Sequence, residues 1–126
     1  MRKFTKQMTE KPCDYLVKHY DCFRTDTNIY IVMELCQGGT LLDYININQT
    51  LNEQSAITVI QHILLGLEYL DNLNISHRDL KPENIFIFQT TENETSQVVF
   101  KIGDFGFSAQ KISFTEVLGT YPFMAP

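Results

Sequence analysis

Ile75-Ser76-His77-Arg78-Asp79-Leu80-Lys81-Pro82-Glu83-Asn84 lies between an apolar helical pattern and an apolar strand pattern, yet most of its residues are polar or charged. Such a run cannot be buried without partners for its polar groups, and loops held between rigid elements are where function concentrates. Upstream of it, Ile57, Ile60, Ile63, Leu64, Leu67 and Leu70 recur every three or four residues behind Asn52. That spacing predicts a helix over roughly 54–73, capped by Asn52 and apolar on one face. His62 has no acidic or thiol partner one turn away, so it reads as a structural histidine. Downstream, Ile85-Phe86-Ile87-Phe88 and Val98-Val99-Phe100-Lys101-Ile102 read as a strand pair, with the polar stretch 89–97 as a solvated loop. Asp104-Phe105-Gly106 follows directly, twenty-five residues after Asp79. Two carboxylates on loops at strand ends, with Asn84 nearby, supply the oxygen ligands that hard divalent cations take.

Toward the N-terminus, Leu16–Tyr20 and Ile29–Met33 are β-rich runs flanking the turn-prone Thr25-Asp26-Thr27-Asn28, an antiparallel pair by this pattern. Glu34-Leu35-Cys36-Gln37-Gly38-Gly39 ends the second run, and its double glycine permits a change of direction. A short helix is expected from Thr40 to about Ile45. Residues 1–12 are polar and basic without a clear period. The order is two strands, helices, two strands and an irregular tail, an α+β chain.

The composition bounds the possibilities further. A length of 126 residues suits one domain or part of one, and 44% hydrophobic residues with 12% aromatics are globular rather than disordered. Ten basic against fifteen acidic side chains, a net charge of -5, argue against nucleic acid as a partner. No apolar run approaches the ~18–20 residues that cross a bilayer, so no membrane partner is expected. The charged, polar start is no secretory signal. Three cysteines without a C-x-x-C pair suggest neither zinc nor disulfides, and a reduced, cytoplasmic or nuclear location is expected.

Three motifs in order carry a resemblance to the eukaryotic protein kinases. His77–Asn84 is similar to the H-R-D-L-x-x-x-N catalytic loop and Asp104-Phe105-Gly106 to D-F-G. Gly119-Thr120-Tyr121-Pro122-Phe123-Met124-Ala125-Pro126 resembles the end of the activation segment, and Val32–Gly39 the last N-lobe strand and hinge. The resemblance implies a serine/threonine kinase using ATP and Mg²⁺ on protein hydroxyls. On that basis Asp79 is the catalytic base, Lys81 faces the γ-phosphate, and Asn84 and Asp104 hold metal. Met33 is the gatekeeper, the Glu34 carbonyl and Cys36 amide face the adenine edge, and Leu41 and Phe86 pack above and below its ring. Arg78 implies an activation loop ordered by a negative charge, and Thr120 steadies Asp79 and Lys81. Glu116 stands where a phosphothreonine is usual. It supplies a fixed charge, or phosphorylation of Ser113 or Thr115 by an upstream kinase takes over.

The implied layout is residues 1–35 as the end of an N-lobe, 36–39 as hinge and 40–126 as C-lobe, about the middle of a kinase domain. No G-x-G-x-x-G loop and no V-A-I-K lysine occurs within the 126 residues. The stretch by itself is therefore expected to be inactive, and a non-catalytic kinase-like binding or regulatory module is the alternative. Two departures from the family pattern stand out. His19 replaces an apolar residue behind the D-F-G phenylalanine, and Thr40 replaces an acidic residue for which Asp43 is a substitute. Residues 104–108 and 119–123 resemble the calmodulin-dependent and autophagy-initiating kinase groups.

Overall fold

The computed structural model describes residues 12–92, 95–106, 108–110 and 119–124. Strand β1 (His19–Arg24) pairs antiparallel with β2 (Ile29–Met33), with Cys22 opposite Ile31 and Phe23 opposite Tyr30. The turn between them closes by Thr25 N–H donating to the Asn28 carbonyl at 2.9 Å. The first strand thus starts later than the expected Leu16 and runs through the polar Asp21–Arg24. Leu16 and Val17 are 3% and 2% exposed and sit against the chain near Ile102, where Val17 N–H donates to the Ile102 carbonyl at 2.9 Å. Core burial claims those two apolar side chains, while the tight turn sets the hairpin register outside it.

Helix α1 (Leu41–Asn48) is longer than the expected segment. Its N-cap Thr40 and Asp43 form a reciprocal capping box, and Gln49 ends it in the left-handed conformation at φ 63°. Helix α2 (Glu53–Asn72) starts where the sequence places it, with Asn52 Oδ1 accepting from Ser55 N–H at 2.8 Å. Two short elements follow the sequence less visibly: β3 (Ile75–Ser76) pairs antiparallel with β6 (Ala109–Gln110). Between them β4 (Ile85–Glu92) and β5 (Thr95–Ile102) form a hairpin with Ile85 opposite Ile102 and Glu92 opposite Thr95. The stretch expected to be a loop, 89–97, is mostly strand. Its polarity goes with exposure at Gln89 and Gln97, and not with an irregular backbone.

The core joins Leu16, Leu41, Val59, Leu70, Ile75, Ile85, Ile87, Phe100 and Ile102. Helix α2 contributes Val59, Gly66 and Leu70 fully, with Ile63 and Leu67 partly buried against them. Ile57, Ile60 and Leu64, expected on the same buried face, form a second apolar strip that is exposed. The described residues include no helix long and apolar enough to cross a membrane.

Candidate active site

β3 delivers the chain into the loop 77–84, and a buried histidine fixes its start. His77 Nε2–H donates to the Gly103 carbonyl at 2.9 Å, while its Nδ1 lies 3.3 Å from the Asp79 N–H that it accepts. A carbonyl on one nitrogen and an amide on the other require the neutral ring, and burial holds its pKa below the usual histidine value. Arg78 then takes a left-handed backbone at φ 67°, which aims the next residue inward. The Asp79 side chain is 4% exposed and surrounded by donors. The Thr120 hydroxyl donates to Oδ1. Lys81 Nζ lies 3.0 Å from Oδ2, and Asn84 Nδ2 donates to Oδ2 at 3.1 Å and to the Asp79 carbonyl at 2.8 Å. Lys81 also donates to the Thr120 hydroxyl at 2.8 Å. The Thr120 hydrogen bond, followed by the Lys81 charge and the Asn84 amide, keeps the Asp79 carboxyl below its ordinary range against the opposing effect of burial. The result is an ionised, oriented carboxylate beside an ammonium, a pair suited to aligning a hydroxyl against an anionic group.

Asp104 is joined to this loop through the backbone. Gly103 N–H donates to the Asn84 carbonyl at 2.9 Å, so Gly103 bridges Asn84 and His77. A Cβ at Gly103 would stand 2.6 Å from the Phe86 ring, which explains glycine here. Asp104 is exposed, at φ 56°, and its Oδ1 accepts from Gly106 N–H at 3.2 Å. The Asn84 amide nitrogen is committed to Asp79, so its oxygen is the atom left for a ligand. An amide oxygen and a carboxylate fit Mg²⁺, which takes one or two protein ligands and completes its shell with phosphate oxygens and water. Among the described residues there is no group of three or more acidic, histidine or cysteine ligands. Phe105 lies between two imidazoles, His77 at 5.3 Å and His19 at 5.5 Å, both edge-on. His19 Nδ1–H donates to the Val17 carbonyl at 3.1 Å, so its polar edge is turned to the backbone.

The turn after β2 approaches the same region. Gly38 N–H donates to the Ile87 carbonyl and Ile87 N–H to the Gly39 carbonyl, each at 2.9 Å. A Cβ at Gly38 would meet Ile87 at 2.6 Å, and Gly39 has φ 73°. The double glycine therefore permits close approach as well as a change of direction. Met33 is exposed, Phe86 half-buried, and Cys36 half-buried with its carbonyl accepting from Gly39 N–H at 3.3 Å. Burial, then the Glu34 charge, raises the Cys36 thiol pKa. Leu41, the first residue of α1 after its Thr40 cap, is 5% exposed and packs in the core cluster.

The family model described as "Protein kinase domain" matches residues 3–126. The chain belongs to the protein kinase family. It is 34% identical over 114 residues to the "Probable serine/threonine-protein kinase zyg-1" of Caenorhabditis briggsae, covering 88% of the chain and 16% of that protein. It is 33% identical to "Serine/threonine-protein kinase unc-51" of Caenorhabditis elegans, covering 98% of the chain and 15% of that protein. It is 37% identical to "Developmentally-regulated protein kinase 1" of Dictyostelium discoideum, covering 89% and 15%. The chain thus spans about a sixth of the length of these relatives.

Within this kinase chain, Asp79, Lys81, Asn84 and Thr120 form one hydrogen-bonded cluster, and Gly103 holds Asp104 beside it. Arg78 lies in the same loop. Ser113, Thr115 and Glu116 lie outside the described residues. Asp43 turns its Oδ2 back onto the Thr40 N–H at 3.0 Å and receives the Thr40 hydroxyl at 2.6 Å, so that oxygen serves the helix cap. Sequence reasoning missed Lys101, whose Nζ lies 2.9 Å from both carboxylate oxygens of Glu34. The available signal was a lysine inside the apolar run Val98–Ile102 and a glutamate closing the apolar run Ile29–Met33.

Proposed function

We propose that the chain carries the phosphoryl-transfer centre of a protein serine/threonine kinase that uses ATP and Mg²⁺. The observation that carries this reading is the joint grip of Thr120, Lys81 and Asn84 on the Asp79 carboxylate. Asp79 orients the acceptor hydroxyl and takes its proton as the oxygen bonds to the γ-phosphorus. The bond from that phosphorus to the β–γ bridging oxygen breaks, and ADP leaves. Lys81 offers its ammonium to the transferring group, with Thr120 fixing its direction. Mg²⁺, when bound through Asn84 and Asp104, neutralises phosphate charge. Met33 and the backbone of Glu34 and Cys36 line the adenine side, with Phe86 below it. The substrate is a protein with a serine or threonine acceptor, in the cytoplasm or nucleus. Glu116, or a phosphate placed on Ser113 or Thr115 by an upstream kinase, orders the activation segment through Arg78.

The test is Asp79→Asn in the intact protein, with peptide phosphorylation and MgATP affinity both measured. Loss of turnover by a factor of about 10²–10⁴ with nucleotide binding kept is the expected result. Unchanged turnover overturns the base role. An intact protein that binds MgATP but transfers no phosphoryl group to any acceptor is the binding-module alternative.

A further inference from the structure

We infer that Lys101 is a positioning residue for the nucleotide, tying the turn that faces the adenine to the strand that leads into Asp104. The inference rests on the kinase reading above and adds a role that its motifs do not contain. Glu34 is held at both its backbone and its side chain. Its N–H donates to the Lys18 carbonyl at 2.8 Å, and its Oε2 accepts from Lys18 N–H at 3.2 Å. Lys101 Nζ contacts Oε1 and Oε2 at 2.9 Å each and stands 4.2 Å above the Phe88 ring. The two side chains are 3% and 7% exposed.

A buried ion pair is an expensive way to gain stability. Desolvating both ions offsets most of their attraction, and apolar replacements of similar volume are often neutral or stabilising. Backbone bonds already run beside it, from Val17 N–H to the Ile102 carbonyl and between Gly38–Gly39 and Ile87, and the pair adds to them a direct side-chain link from Glu34 to β5. Glu34 sits between Met33 and the residues whose backbone faces the adenine. Lys101 lies on β5, one residue before its end at Ile102 and three residues before Asp104 in sequence. The adenine end and the metal–phosphate end of one ligand are thus indexed to each other through a rigid link. A ligand that finds both ends already spaced loses less on binding.

The double variant Glu34→Leu/Lys101→Met removes both charges without leaving either unpaired, and the single variant Lys101→Met leaves Glu34 uncompensated. In the intact protein, the single variant is expected to lower Tm and the double variant to restore it. The double variant should still bind MgATP about tenfold more weakly, with KM for ATP raised by a similar factor and kcat within about twofold. A double variant that binds MgATP as wild type does overturns the positioning role. A wild-type protein with no affinity for MgATP overturns the kinase reading first and this inference with it.

Discussion

Asp79 concentrates the chemistry of this chain into one carboxylate, and the hydroxyl of Thr120 is the leading reason its pKa is lowered. Replacing Thr120 by valine keeps the volume and removes that donor. A hydrogen bond to a charged group is worth about 1.5–3 kcal/mol, so under the proposed function phosphoryl transfer by the intact protein should fall about tenfold or more. The carboxyl pKa should also rise toward its ordinary value of 3.8, moving the acid limb of the rate profile to higher pH. The corresponding stability term has a definite sign. A lowered folded pKa stabilises above the unfolded value, and the benefit is lost as pH falls through the folded one. A pH–rate profile of Thr120→Val checks this, and an acid limb in the wild-type position would refute the coupling. Asp79, Lys81 and Asn84 were legible because their spacing within one loop is itself the signal. Lys101 was not, because a lysine in an apolar strand is equally compatible with a bent, solvent-seeking side chain.

Helix α2 shows how an element can be right in its limits and wrong in its facing. Its start at Asn52 and its 3.6-residue period are local properties, so both could be read from sequence. Three of the six apolar positions expected on its buried face, Ile57, Ile60 and Leu64, nonetheless face outward, and Gly66 turns out to be a contact residue. A Cβ there would meet Ile102 Cδ1 at 3.0 Å and the Tyr15 carbonyl at 3.1 Å. That carbonyl is not free to retreat, since it accepts from Ile102 N–H at 2.9 Å. Alanine gains about 1 kcal/mol of helix propensity over glycine, but overpacking a fixed neighbour costs about 1–3 kcal/mol. Gly66→Ala should therefore lower thermal stability, and a raised Tm in calorimetry would show that the crossing of α2 over β5 can relax. The β4–β5 hairpin gives the complementary lesson: threonines and glutamines at 89–97 suit an exposed strand as well as a loop, so polarity alone could not separate them.

At the scale of the whole molecule, all three histidines have their pKa lowered chiefly by burial. Each resists protonation in the fold more than in the unfolded chain. Below the unfolded value of 6.5 the unfolded state binds more protons, so stability falls as pH drops from there through the lowered folded values. Tm should decline between pH 7 and 5, ahead of the Asp79 contribution, which is lost only in the carboxylate range. A flat Tm across that interval would contradict the burial of His77 between Gly103 and Asp79. The sequence by itself determined the family, the start of α2, the strand segments 85–88 and 98–102 and the order of the loop residues 77–84. These depend on spacings of a few residues, which the backbone geometry of helices, strands and turns translates directly into position. The family resemblance already implied that Thr120 steadies Asp79, whereas only the tertiary structure decided that Lys101 meets Glu34 across 67 positions. It also decided that Leu16 packs beside Ile102 and that β3 pairs with β6. Those contacts follow from loop closure and from competition among many apolar and charged side chains of similar type, and no local pattern ranks the winners.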